Sequence, residues 1–245
     1  MRSRVVAELV ALFAPPGCAA CRAPLDDARE PVCADCRRAL PWLRGPRCAR
    51  CGLPPPCRPC PAARAAFDRA WAPLAYAGPA RDLVTALKFR GALALADLMA
   101  AQIAAALPED LAGPKTAGEG EPGEPAPDGT GPAIVPVPTH PASVRARGFD
   151  QAERLAEALS RRTGLPLDAC LRRDGTATRQ IGTSRRRRMQ QNRIEIEAAG
   201  AVPKTALLLD DVHTTGATLD AAAQALKRAG AKQVHAVSYA RTLRH

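Results

Sequence analysis

Aromatic residues are scarce in this sequence: four Phe, two Trp and two Tyr make up only 3% of 245 residues. A surface that grips nucleic acid by stacking successive bases is hard to assemble from so few rings. Lysine is nearly missing as well, confined to positions 88, 115, 204, 227 and 232, so arginine carries almost all of the +11 net charge. That charge suits a polyanionic ligand or nucleic acid. An Arg- and Ala-rich bias also follows from genome composition, which weakens the charge as evidence for DNA binding. The commoner nucleotide loops are absent: no GxxxxGK[ST] occurs, and no GxGxxG follows a strand. No segment has the length and apolarity of a membrane span. Residues 1–18 superficially suggest a signal peptide, but Glu8 interrupts the apolar run, Pro15 and Pro16 follow it, and no A-x-A site appears. Val6, Leu9, Val10 and Phe13 fall at helical spacing, so this stretch reads as an amphipathic helix. The expectation is a cytoplasmic protein without membrane insertion.

Cysteine, by contrast, is concentrated. Eight of the nine lie between Cys18 and Cys60 as four CxxC pairs: Cys18 with Cys21, Cys33 with Cys36, Cys48 with Cys51, and Cys57 with Cys60. CxxC lets two thiolates meet one metal from a single tight turn, and two such knuckles complete a tetrahedral four-cysteine zinc site. The loops around them are rich in Pro and Gly and hold little apolar material, so metal supplies the stability that so small a core cannot. Nothing argues for the oxidising compartment that disulfides need, and a redox CxxC would require a βαβ context that is missing. Two structural zinc ions are expected. Sequential pairing of the knuckles is the simplest assignment, and crossed pairing stays open. Cys170 stands alone and reads as a small buried hydrophobe.

The most informative stretch is Ala206 to Asp220, ALLLDDVHTTGATLD. Ala206 to Leu209 form a short apolar run, as a strand buried on both faces of a parallel sheet does. The run stops at Asp210 and Asp211. The turn Thr214-Thr215-Gly216-Ala217-Thr218 follows, then a helical pattern from Leu219 to about Ala229. Ligands of open α/β sheets sit beyond the carboxyl ends of strands, and the unpaired amides of a helix start attract phosphate. Gly216 lets the backbone close around an anion without a Cβ in the way. Two acids beside a phosphate-binding turn match a ligand with a phosphate at one end and two hydroxyls at the other, which is the layout of ribose 5-phosphate. The bland alternative is a strand–turn–helix unit whose Asp and Thr residues only cap the helix.

Elsewhere, Phe67 to Tyr76 reads as an edge strand closed by Gly78-Pro79, followed by helices from Ala80 to Lys88 and from Leu93 to Leu107. Between them, Lys88 and Arg90 read as exposed charges at a helix end. Residues 112–132 are Gly, Pro, Glu and small polar residues without periodicity, a flexible insert. Ala133 to Pro138 is a second buried strand. Arg145 and Arg147 then sit in a strand-to-helix loop, where two guanidiniums suit bidentate pyrophosphate contacts. Asp150 is placed as the N-cap of the next helix, with Glu153 three residues on. Leu165 to Leu171 and Arg193 to Glu197 read as short strands, and Gln233 to Ala240 as the last one. Between residues 141 and 193 there are 13 arginines against 5 acids. This basic stretch, which includes Arg185 to Arg188, suits a segment closing over pyrophosphate or touching a nucleic-acid backbone.

LLLDDVHTTGATL resembles the signature by which type I phosphoribosyltransferases bind 5-phosphoribosyl-1-pyrophosphate (PRPP). The resemblance implies that Asp210 and Asp211 face the ribose hydroxyls, while Val212, His213, Thr214, Thr215, Gly216, Ala217 and Thr218 line the 5-phosphate turn. His213 falls at a position that family leaves variable. Together with the four knuckles, LKFRG, IVPVP, RARGFDQAERLA and TRQIGTSRRRRMQQN, the chain resembles the ComF family, some members of which serve DNA uptake in natural competence. Asp150 departs mildly, standing where that family commonly has Asn. The resemblance implies a doubly wound parallel α/β sheet of type I phosphoribosyltransferase type with a small hood (residues 63–245), preceded by a helix and double zinc ribbon (residues 1–62). It also implies catalysis on PRPP with Asp210, Asp211, Arg145 and Arg147 in the active site, and Mg²⁺ alongside the leaving pyrophosphate. The competing expectation is a PRPP or nucleotide sensor, or an adaptor for single-stranded DNA and the competence machinery.

Overall fold

A computed structural model of the chain describes residues 17–25, 27, 29–90, 94–112, 131–173 and 194–243. The expected N-terminal helix, residues 113–130 of the insert and the stretch carrying Arg185 to Arg188 lie outside them.

The first half of the described chain runs α1 (Ala34–Arg38), β1 (Arg69–Trp71), β2 (Leu74–Ala75), α2 (Gly78–Phe89), α3 (Ala94–Ala106) and α4 (Glu109–Ala112). The second half runs β3 (Pro132–Pro136), α5 (Pro141–Arg147), α6 (Gln151–Thr163), β4 (Leu171–Arg173), β5 (Ile196–Ala198), β6 (Thr205–His213), α7 (Ala217–Arg228) and β7 (Gln233–Arg241). One parallel sheet has the order β1-β7-β6-β3, with β2 continuing along β7 beyond β1. The sheet is covered on both faces, which is why its central strands are continuous apolar runs and not alternating ones.

On one face, Ile134, Leu207, Leu209, Val237 and Tyr239 pack with Leu83 and Leu87 of α2, Met99 of α3 and Leu155 of α6. On the other, Val135, Ala206, Leu208 and Val234 meet Leu219 and Leu226 of α7, with Leu171 and Ile196 from the antiparallel pair β4–β5. The doubly wound class read from the sequence is the class observed. Cys170 is buried in the second core, as its lone position suggested.

The cysteine-rich front end is divided between these faces. Cys18, Val32, Cys36 and Leu40 belong to the first core, while Cys51 and Ala62 belong to the second. The same segment covers the outer edge of the sheet: Trp42 bridges Leu74, Leu43 N–H donates to Pro73 O (2.8 Å), and Ala70 N–H donates to Arg50 O (2.9 Å). The strand expected over Phe67 to Tyr76 is therefore two short pieces whose outer edge is bonded by the backbone of Pro41, Leu43 and Arg50, which lessens the usual hazard of unpaired strand groups.

Several elements differ from expectation. β6 does not stop at the acids but continues to His213, because β7 keeps pairing with it: Asp210 lies opposite Ser238 and His213 opposite Arg241. Gly78-Pro79 opens α2 instead of closing a strand; a proline in the first turn gives up an N–H that has no helical partner anyway. The strand expected over Leu165 to Leu171 shrinks to a single bridge from Leu167 to Ile134, since Pro166 has no N–H to extend the ladder.

Candidate functional site

The metal centres come first in the chain. The thiol sulfurs of Cys18, Cys21, Cys33 and Cys36 lie within 4.8 Å of one another, and so do those of Cys48, Cys51, Cys57 and Cys60. The knuckles pair sequentially. Backbone amides are aimed at the sulfurs: Cys33 N–H reaches Cys18 Sγ at 3.4 Å and Cys36 N–H reaches Cys33 Sγ at 3.5 Å. Burial opposes ionisation of Cys18, but the amides of Cys33, Cys21 and Ala20 outweigh it and bring the thiol down to about 6. The Cys51 amide, the Cys57 thiol and the Arg50 amide do the same for Cys48. Two closed sets of four sulfurs with amide support fit structural Zn²⁺.

The second constellation lies at the carboxyl end of β6. Leu207, Leu209 and Val212 all face the first core, so the inside–outside alternation slips by one place across Asp210 and Asp211. Asp211 is 2% exposed, and the Lys88 ammonium stands 2.8 Å from its Oδ2. Lys88 is thus not the exposed helix-end charge that the sequence suggested. It lies four residues after Val84 and extends the buried stripe of α2, a spacing that was the available signal. Asp210 is half-buried, and its Oδ1 accepts from Asp211 N–H at 2.8 Å. Burial first and the Asp211 charge second push the Asp210 carboxyl up to about 7; Lys88 opposes the shift and Asp150 adds to it. Arg173, at the end of β4, is close enough to feel Asp210, a neighbour that sequence reasoning did not single out.

The turn after β6 is shaped by two residues. Gly216 has φ +81° and precedes α7 with no side-chain cap. A Cβ there would stand 2.8 Å from His213 Nε2. His213 is buried edge-on to Phe67, with ring centres 6.0 Å apart, and burial followed by the Arg241 charge brings it down to about 4, so it is a neutral ring. Thr214 and Thr215 are exposed on the turn. Gly216 occupies the cap position and Asp210 bonds its own neighbour, so the acids are not spent on capping α7.

Arg145 and Arg147 occupy the last turn of α5, not a loop; Gly148 ends that helix at φ +81°. Arg147 donates to Gln151 Oε1 at 2.7 Å and lies over the Phe89 ring, 5.0 Å from its centre. Phe89 directly follows Lys88, so α5 and the acidic pair share one rim. Arg145 is exposed there. Asp150 is the expected N-cap of α6: its Oδ1 accepts from Ala152 N–H (2.9 Å) and Glu153 N–H (3.3 Å), and its Oδ2 from Thr139 N–H (2.9 Å). One carboxylate therefore ties the exit of β3 to the start of α6.

Comparison with known proteins agrees with this layout. The double zinc ribbon domain family matches residues 9–66, and the phosphoribosyl transferase domain family matches residues 142–243. Competence protein ComFC of Streptococcus pneumoniae is 34% identical over 108 residues, covering 44% of this chain and 47% of that protein. Competence protein F of Haemophilus influenzae is 32% identical over 114 residues, covering 44% and 50%. The chain spans about half the length of the curated relatives it matches. Among the described residues no helix is long and apolar enough to cross a membrane. Two four-cysteine clusters braced against a parallel sheet, whose central strand ends in an acidic pair and a Thr-Thr-Gly turn, together with both domain matches, place the chain in the ComF family of double-zinc-ribbon, phosphoribosyltransferase-type proteins.

Proposed function

We propose that this chain binds PRPP at the end of β6 and transfers its phosphoribosyl group to an acceptor. One observation carries the reading: an acidic pair and a glycine-opened helix start, where Thr215 Oγ1 accepts from Ala217 N–H at 3.4 Å and the acids take no part in capping, meet at the carboxyl end of a central parallel strand. In this reading the turn from Thr214 to Thr218 holds the 5-phosphate with backbone amides and hydroxyls. Asp210 and Asp211 accept from the ribose hydroxyls and ease the positive charge that develops at the anomeric carbon as pyrophosphate leaves. Lys88 keeps Asp211 in place. Arg145 and Arg147, on the same rim, take the pyrophosphate. Asp210 and Asp211 would offer carboxylate oxygens to a Mg²⁺ ion bound with the diphosphate, and such an ion would neutralise part of the leaving group's charge. Residues 63–245 are the transferring unit and residues 1–62 the zinc-held one. The named relatives are competence proteins, and a role in competence, beside DNA uptake, is carried to this chain on that ground, whereas a role in nucleotide metabolism rests on the PRPP reading alone.

Calorimetric titration with PRPP in the presence of Mg²⁺ tests the binding step, and pyrophosphate release with a panel of bases tests transfer. Asp211→Asn is expected to lower turnover by on the order of a hundredfold or more. Binding without any acceptor-dependent release would favour the sensor; no binding at all would remove the proposal.

A further inference from the structure

The second cysteine cluster is joined to the turn after β6 by side chains that belong to neither. Arg241, the last residue of β7, is 3% exposed and donates from Nη1 to the carbonyl of Cys51, a member of that cluster. Its Nε has no hydrogen-bond partner among the described residues. Gly52 leaves no room for a side chain: a Cβ would stand 2.4 Å from Ala70 O and 3.2 Å from Arg241 Nη1. Arg241 pairs with His213 across the sheet, Thr242 N–H donates to His213 O (3.0 Å), and His213 lies directly beneath Gly216. From the other side, Phe67 backs the His213 ring, and Asp220 of α7 accepts from Ala66 N–H at 2.6 Å. The first cluster is tied elsewhere: Arg90, just past α2, donates from Nη1 to Ala19 O at 3.0 Å, and among the described residues no side-chain hydrogen bond links that cluster to the turn Thr214 to Thr218. Its Cys18 and Cys36 belong to the opposite core, with Leu74, Leu83 and Leu87.

We propose that the second zinc site positions the turn Thr214 to Thr218 through Arg241 and His213, and that the first zinc site does not. Two positive charges against four thiolates leave a loaded cluster doubly negative. A buried guanidinium beside it is therefore compensated, whereas the same cation without that counter-charge is costly to keep out of water. Emptying the second site releases Arg241 from Cys51, and with it the His213 ring on which Gly216 rests. The bearing of this coupling on ligand affinity rests on the PRPP reading; the coupling itself does not.

The whole chain of 245 residues tests it by amide hydrogen exchange and zinc counting, without ligand. Cys57→Ser is expected to bind one zinc ion in place of two and to speed exchange of the 214–219 amides by about tenfold or more, while α3 and α6 stay protected. Cys21→Ser is expected to lose one zinc ion as well, with exchange at 214–219 unchanged. Should Cys57→Ser fail to fold, Arg241→Met keeps all eight cluster cysteines and is expected to loosen the same amides and speed loss of one zinc ion to a chelator. Unchanged exchange at 214–219 in the second-cluster and Arg241 variants, or equal loosening by Cys21→Ser, would overturn the coupling. Failure of PRPP to bind a protein that shows the predicted exchange pattern would strike the proposed function and leave the coupling standing.

Discussion

Asp210 holds its proton more tightly than a carboxyl on an open surface, because burial and the adjacent Asp211 both oppose its charge. The consequence for stability has a definite sign. An unfolded Asp ionises near 3.8, whereas the folded protein resists ionising Asp210 until about 7. Below pH about 4 both states are protonated and the group is neutral in folding; as pH rises to about 7 the folded state falls behind and stability is lost. Asp210→Asn is therefore expected to gain stability relative to wild type across that window, read from urea midpoints at its two ends. A difference that does not change with pH would contradict the shift. Lys88 makes the complementary case. Its partner carboxylate is almost wholly enclosed, so Lys88→Met leaves an uncompensated charge and is expected to cost about 3 kcal/mol. Adding Asp211→Asn should recover part of that loss in a double-mutant cycle. Asp210 and Asp211 stood out in the sequence because two adjacent acids at a strand end are unusual. Lys88 did not, since a lysine ending an amphipathic helix is ordinarily solvated, and only the partner across the fold shows otherwise.

At the scale of elements, local chemistry was legible wherever the chain satisfies its own backbone. The helix expected from Leu219 to about Ala229 is Ala217–Arg228, and the one expected from Leu93 to Leu107 is Ala94–Ala106. What escaped the sequence was set by partners. β6 runs past its acids only because β7 continues beside it, and the piece around Leu167 fails to become a strand because Pro166 cannot donate. Arg145 and Arg147 likewise read as loop residues, yet His140 and Pro141 open a short helix and Gly148 closes it. Asp150 shows how one element boundary shapes the site. It caps α6 and also holds Thr139 of the preceding loop, by the backbone amide and by the hydroxyl at 2.9 Å. Asp150→Ala is expected to cost about 1–2 kcal/mol. Removing the exposed partner in the Arg154–Glu157 pair of the same helix, by Arg154→Ala, should change stability by no more than about 0.5 kcal/mol. Equal effects in chemical denaturation would mean that the tie to Thr139 is not holding the loop.

At the scale of the whole molecule, the sequence separated a cysteine-rich front end from an α/β body but gave no sign of how much each completes the other. Contacts between residues a hundred positions apart leave no local periodicity. The front end lies on both faces of the sheet and along its edge. Val32 and Leu40 close the core around Leu74 and Leu83, Ala62 closes the core around Leu219, and the backbone of Leu43 covers the strand edge at Pro73. A fragment of residues 63–245 would expose those apolar surfaces and that edge together, each uncovered large side chain forfeiting about 1.5–3 kcal/mol. For a domain whose net stability is about 5–15 kcal/mol, losing several such contacts removes most of the margin. The fragment is therefore expected to bind a hydrophobic dye, to associate through its bare edge and to lack a cooperative thermal transition, while the zinc-loaded full chain melts cooperatively. Chelating both zinc ions from the full chain should move it towards the fragment's behaviour, because the ribbon cannot hold its covering position without metal. A fragment with dispersed amide resonances and a sharp melt would show instead that the body is self-sufficient and that the ribbon merely rests on it.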